Sequence, residues 1–127
     1  VPDQDSKKLF PVFEAYVKRL APAGVTIRVR DLHSGVPFIT DIDHPMLEKA
    51  RRALARAWSK PPVMIREGGS IPVMATFQET HGLPCILMGF GLHDDQVHAP
   101  NEKLSLTSLH GGTKSAAYLY EELARGA

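Results

Sequence analysis

Apolar and polar positions alternate along this chain with two different periods. Leu9, Phe13, Tyr16, Val17 and Leu20 recur at three- and four-residue steps, which predicts a helix over about residues 5–20. Asp3, Asp5 and Ser6 are its candidate caps, and Pro11 is expected to kink the helix or delay its start. Residues 25–30 then alternate apolar and polar, the pattern of a strand with one wet face. After a break at 33–37 and a connector at 39–43, Leu47, Ala50, Leu54, Ala57 and Trp58 mark a second helix. Asp43 is the expected cap, Pro45 lies in the first turn, and Lys60-Pro61-Pro62 ends the helix.

Val63-Met64-Ile65 reads as a short apolar strand. Ser70 is placed to cap a third helix from Ile71 to about His81, which Gly82 closes. Residues 84–90 read as a strand buried on both faces, as in a parallel sheet covered by helices. Residues 91–103 are irregular and polar. A last helix is expected over about 105–125, carrying Leu109, Ala116, Tyr120 and Leu123 as its apolar positions, with Gly126 after it. The order αβ, connector, αβαβ, loop, α predicts an α/β architecture with right-handed crossovers. The first forty residues are too few for a layer of their own.

Composition narrows the classes. The chain has 127 residues, 43% hydrophobic and 23% charged, with net charge +1. No basic field argues for nucleic acid, and the Lys49–Arg56 cluster reads as a solvated helix face. No apolar run approaches a membrane span. A single cysteine, Cys85, sits in an apolar run and reads as a buried, inert thiol, so a disulfide framework is excluded. These features make the cytoplasm the expected compartment. The chain begins Val1-Pro2 without a methionine, as expected if it lost residues by processing or was cut from something longer.

Three stretches suit chemistry. The loop from Gly91 to Glu102 follows the C-terminal end of a predicted core strand, where open α/β sheets bind ligands. It carries His93, Asp94, Asp95, His98, Asn101 and Glu102. Imidazoles and carboxylates are metal ligands, yet His93 and His98 are not at a standard zinc spacing, and a catalytic zinc needs about three protein ligands. His93-Asp94-Asp95 is read as loop polarity. Next, Arg66-Glu67-Gly68-Gly69-Ser70-Ile71-Pro72 feeds a glycine turn into a helix N-terminus, a setting that holds a carboxylate or phosphate. It matches neither the P-loop nor the dinucleotide fingerprint. Finally, His33 ends the half-wet strand. Glu121 and Glu122 are adjacent on a helix and face apart, so they are not read as a dyad.

Arg66–Pro72, the run ending Gly89-Phe90-Gly91, and His98-Ala99-Pro100-Asn101-Glu102 together resemble the C-terminal signature of the aminoacylase/carnosinase peptidase family. That family includes carboxypeptidase G, succinyl-diaminopimelate desuccinylase and acetylornithine deacetylase. The resemblance runs along essentially the whole chain. It implies the C-terminal part of a phosphorylase/hydrolase-like zinc-peptidase catalytic domain plus half of an α+β, ferredoxin-like lid. Residues 1–40 would be the second half of this inserted lid or dimerisation domain, and 41–127 the returning catalytic portion. It further implies His98 as a metal ligand, and His33, Gly69 and Ser70 as substrate-binding groups. Glu102 would support the ligand from behind.

The implied activity is hydrolysis of dipeptides or N-acyl amino acids through a water held between two Zn²⁺ ions, with Co²⁺ or Mn²⁺ as substitutes. The implied partners are that substrate, the N-terminal part of the same enzyme and a second subunit in a homodimer. The upstream ligands and the general base have no counterpart here, so the chain alone is expected to be inactive. Within this reading a dipeptidase of the carnosinase branch is favoured. The alternatives are a non-catalytic module that dimerises by pairing its exposed strand, and an unrelated small-molecule-binding domain.

Overall fold

The structure is a computed structural model, and it describes residues 3–67 and 71–125. Among these residues the regular elements are four helices: α1 (Ser6–Arg19), α2 (Pro45–Trp58), α3 (Val73–His81) and α4 (Leu106–Ala124). None is long and apolar enough to cross a membrane. The described residues of 1–39 and 66–85 form one compact unit, and those of 40–65 and 86–127 form a second.

The expected strands at 25–30, 63–65 and 84–90 are not formed; among the described residues each segment lacks regular secondary structure. A strand exists only by exchanging backbone hydrogen bonds with a neighbour. Segment 25–30 keeps the predicted alternation from Thr26 onward, with Ile27 and Val29 half-buried and Thr26, Arg28 and Arg30 exposed, while Val25 is exposed; no strand pairs with it among the described residues. Val63 and Ile65 are mostly exposed. Residues 3–40 therefore contain one helix and chain without regular structure, and a ferredoxin-like α+β half-lid is not formed by the described residues.

In the first unit, the Asp5 side chain accepts the Lys7 N–H at 2.9 Å and caps α1. The helix runs through Pro11, which is exposed. The ring forfeits one backbone hydrogen bond there. α1 has no buried residue, and its stripe of Leu9, Phe13, Tyr16 and Leu20 faces solvent. α3 begins two residues later than the sequence suggests, with Pro72 at the N-cap position and no side-chain cap; the expected cap, Ser70, lies outside the described residues. Gly82 ends α3 at φ +63°, its N–H donating to the Gln78 carbonyl, as an αL cap requires. Cys85 is half-buried, and its thiol donates to the Met74 carbonyl.

The second unit is organised by α2 against α4, the two helices that pack on each other. The cap of α2 is His44 rather than Asp43: its Nδ1 accepts the Met46 N–H at 3.2 Å, while the Asp43 N–H turns back to Asp41 Oδ1. Leu47, Ala50 and Ala53 are the buried face of α2. The buried face of α4 is not the predicted apolar stripe. Ser108, Ser115 and Glu122, seven residues apart, are buried, while Leu109, Tyr120 and Leu123 are exposed.

Two close approaches explain this choice of face. A Cβ on Gly111 would stand 2.3 Å from Trp58 Cζ2, and one on Gly112 would stand 3.0 Å from Phe90 Cδ2. The small residues of α4 thus accept the two rings, which stack with centroids 6.1 Å apart. The indole N–H of Trp58 donates to Ser115 Oγ at 3.0 Å, and that hydroxyl donates to the Gly111 carbonyl at 2.8 Å.

At the far end of the pair, Glu122 is 5% exposed. It accepts from Arg52 Nε at 2.8 Å, Arg56 Nη1 at 3.0 Å and Arg125 Nη1 at 3.3 Å. Arg56 also reaches Glu121 through Nη2 at 2.8 Å, and Arg125 pairs with Glu121 as well. Two arginines expected on a merely solvated face are therefore the bridge between the helices. The adjacent glutamates both pair with Arg56 and Arg125, so they do not face apart as the sequence suggests, and both are engaged in ion pairs.

Candidate functional site

The loop between Phe90 and α4 has an organised backbone without regular structure. Asp95 lies at its base. Its Oδ2 accepts the Leu92 N–H at 2.6 Å, its N–H donates to the Leu92 carbonyl at 3.1 Å, and its carbonyl accepts the Lys103 N–H at 3.0 Å. Asp94 points the other way, pairing with Lys103 Nζ at 2.6 Å. The hydrogen bond from Lys103 holds the Asp94 carboxyl below its usual range. Further along, the His98 N–H donates to Glu102 Oε2 at 3.2 Å. The Glu102 N–H donates to the Ala99 carbonyl, and the Ala99 N–H to the Gln96 carbonyl.

Three residues in this loop, Gln96, His98 and Asn101, have φ of +52°, +64° and +64°. Left-handed backbone is uncommon for side chains other than glycine, although His and Asn tolerate it best. Such conformations persist where surrounding contacts dictate them, and they gather at functional sites. The side chains of His98 and Glu102 are exposed, and so is His93. His98 is thus an accessible imidazole on a backbone fixed from behind by Glu102.

The donor groups of the loop do not complete a metal site among the described residues. Among the described residues, no three His, Cys, Asp or Glu side chains come together as a metal site. A metal held at His98 would take its other ligands from outside these residues. The second unit also has an apolar cavity of about 360 Å³, walled by Leu54, Trp58, Ile65, Met88 and Phe90 among others. Its lining carries no acid or imidazole; its polar side chains are those of Arg51, Lys60 and Ser108 beside the indole of Trp58.

The other candidate residues lie elsewhere. His33 is exposed, outside the helices of the first unit. Gly69 and Ser70 fall outside the described residues, which resume at Ile71 just before α3. Asp95 is the residue that sequence reasoning missed, because it was read as loop polarity together with Asp94. Adjacent acids look equivalent in a sequence, and here one is 2% exposed while its neighbour is exposed.

The chain as a whole is similar to known metallopeptidases. Residues 4–122 match the model of Peptidase family M20/M25/M40, and the chain belongs to that family. It is 35% identical over 124 residues to the Cys-Gly metallodipeptidase DUG1 of Saccharomyces cerevisiae, a match covering 94% of this chain and 26% of that protein. It is also 35% identical over 89 residues to the Beta-Ala-His dipeptidase of Homo sapiens, covering 70% and 18%. The solved structure of the di-peptidase Dug1p from Saccharomyces cerevisiae matches with a TM-score of 0.87 and 31% identity, over 99% of this chain and 27% of that one. The chain spans about a quarter of the length of its yeast relative.

Proposed function

We propose that this chain is the C-terminal part of a metal-dependent dipeptidase, with residues 1–40 contributing to a lid through which two subunits pair and 41–127 to the catalytic domain. The observation that carries this reading is the 35% identity to a Cys-Gly metallodipeptidase along 94% of the chain. An organised loop presenting His98 supports it. The catalytic domain of the whole enzyme would be α/β, and the compartment cytoplasmic. The segments at 25–30, 63–65 and 84–90 would pair with strands from the rest of that enzyme.

In the whole enzyme His98 would help hold a metal site, zinc in our reading, which would supply Lewis acidity toward the scissile amide and a water. His98 contributes one imidazole lone pair to the metal site. Glu102 accepts the His98 N–H and so fixes the backbone from which that imidazole projects. Gly69 and Ser70, ahead of the N-terminus of α3, hold the substrate's terminal carboxylate, since that end of a helix favours negative charge. His33 reaches the substrate from the lid. The general base and remaining ligands come from outside this chain. The alternative of a strand-pairing module draws on the unpaired segment 25–30, but gives the constrained loop at 91–103 no purpose.

The test is His98→Ala in the full-length protein. Purified variant is expected to lose bound metal and nearly all dipeptide turnover. Unchanged metal occupancy would remove His98 from the ligand set.

A further inference from the structure

We propose that Asp95 is the positioning residue for His98, holding closed the loop that presents the imidazole, so that metal affinity depends on it although it is no ligand. The proposal rests on the reading of His98 as a metal ligand and extends it to a residue outside the ligand set.

Asp95 is 2% exposed in a loop whose other members are exposed. Burying a carboxylate is costly unless its oxygens are paired. Here Oδ2 has the Leu92 N–H, while Oδ1 is buried without a hydrogen-bond partner among the described residues. An apolar side chain would fill the same space without that cost, but it would give the Leu92 N–H no acceptor. Asp95 provides that acceptor at the start of the loop, and its backbone carbonyl receives the Lys103 N–H at the end. Both ends of the loop are therefore tied to one residue, the start through its side chain and the end through its backbone, whose position the side chain fixes.

Between those ties lie the three non-glycine residues with positive φ, His98 among them. A backbone held in that region relaxes when the contacts around it are lost. Outer-shell groups that orient a metal-binding histidine typically change affinity 10- to 100-fold when removed. Asp95 does this through the backbone rather than through the ring. Asp94, exposed and paired with Lys103 Nζ, reinforces the end of the loop from outside.

The experiment uses the full-length protein with Asp95→Ala, Asp95→Asn, His98→Ala and, as a control in the same unit away from the loop, Glu122→Gln. Zinc affinity is measured by chelator competition, thermal stability by its midpoint, and the loop by hydrogen exchange of peptides spanning 91–104. Asp95→Ala is expected to weaken zinc binding about 10- to 100-fold and to raise exchange across the loop. Asp95→Asn, whose side-chain carbonyl still accepts the Leu92 N–H, should stay within about threefold of the parent and keep the loop protected. Glu122→Gln should lower the melting midpoint and leave zinc affinity alone.

Zinc affinity unchanged in Asp95→Ala, with only the midpoint lowered, would overturn the proposal. So would an Asp95→Asn variant as damaged as Asp95→Ala, and this amide variant carries the test where the alanine variant does not accumulate. Unchanged zinc affinity in His98→Ala would instead sink the ligand reading. Loop exchange would then decide whether Asp95 closes the loop: it must rise in Asp95→Ala and hold in Asp95→Asn.

Discussion

Trp58 donates its indole N–H to the hydroxyl of Ser115 across 3.0 Å, and Ser115 is wholly buried. A serine in the middle of a helix ordinarily points to water. Here the hydroxyl serves as acceptor to the indole and donor to the Gly111 carbonyl, so a polar seam replaces the apolar one that hydropathy would place on α4. Trp58→Phe and Ser115→Ala, made singly and together, should show a coupling of about 0.5–1.5 kcal/mol in denaturant unfolding. Strict additivity would mean that the indole packs without the hydrogen bond mattering.

Gly111→Ala should destabilise by about 1–3 kcal/mol, because the new methyl falls on the Trp58 ring. Gly112→Ala should cost less, since its nearest neighbour, the Phe90 edge, stands further off. Equal effects in a thermal melt would show that helix propensity rather than the close approach sets the response.

Acid should loosen the α2–α4 contact. Arg52 foremost holds the Glu122 carboxyl below its ordinary range, and Arg56 foremost does the same for Glu121. Groups with depressed folded values stabilise the fold above the ordinary glutamate value of about 4.3, and that contribution is lost as pH falls through the depressed values. The melting midpoint should therefore fall below about pH 4.3, and fall less steeply in a Glu121→Gln/Glu122→Gln variant. Parallel pH profiles would assign the acid response to other carboxylates.

How far the sequence carried differs by element. The sequence locates the four described helices to within about two residues: apolar spacing marks α1, α2 and α4, and the Gly82 stop marks α3. The strands at 25–30 and 84–90 carry strand patterns, but pairing is a relation between segments, and these segments have no described partner. The α4 face was misread because hydropathy ranks Leu109 and Tyr120 above Ser108 and Ser115, whereas ring-sized hollows at Gly111 and Gly112 chose the face. Glu122 was illegible as the bridge to α2, since its arginines lie 66 and 70 residues away. The loop around His98 was found from composition and motif; the inward turn of Asp95 has no such signature.

The 127-residue chain on its own should associate. α1 has no buried residue and exposes Leu9, Phe13, Tyr16 and Leu20. Light scattering should give a mass that rises with concentration above 14.0 kDa, and Phe13→Asp should reduce it. A constant mass would mean that this stripe does not mediate self-association.

The same isolated chain should show no dipeptide turnover with zinc, cobalt or manganese above a His98→Ala background, since no three metal-ligating side chains gather among its described residues. In the full-length protein, Ser70→Ala should raise KM with kcat little changed, as loss of a carboxylate contact common to ground and transition states would. A fall in kcat alone would place Ser70 among the reacting groups.

The contacts between α2 and α4 join partners 57, 66 and 70 residues apart. Contacts of such separation require a long loop to close before they repay its entropy, so they form late. On the ribosome, α2 is complete long before Leu106 emerges, and its Leu47, Ala50 and Ala53 face stays bare throughout that interval. A nascent chain stalled before α4 should therefore be a far better client for chaperones than one stalled just after it.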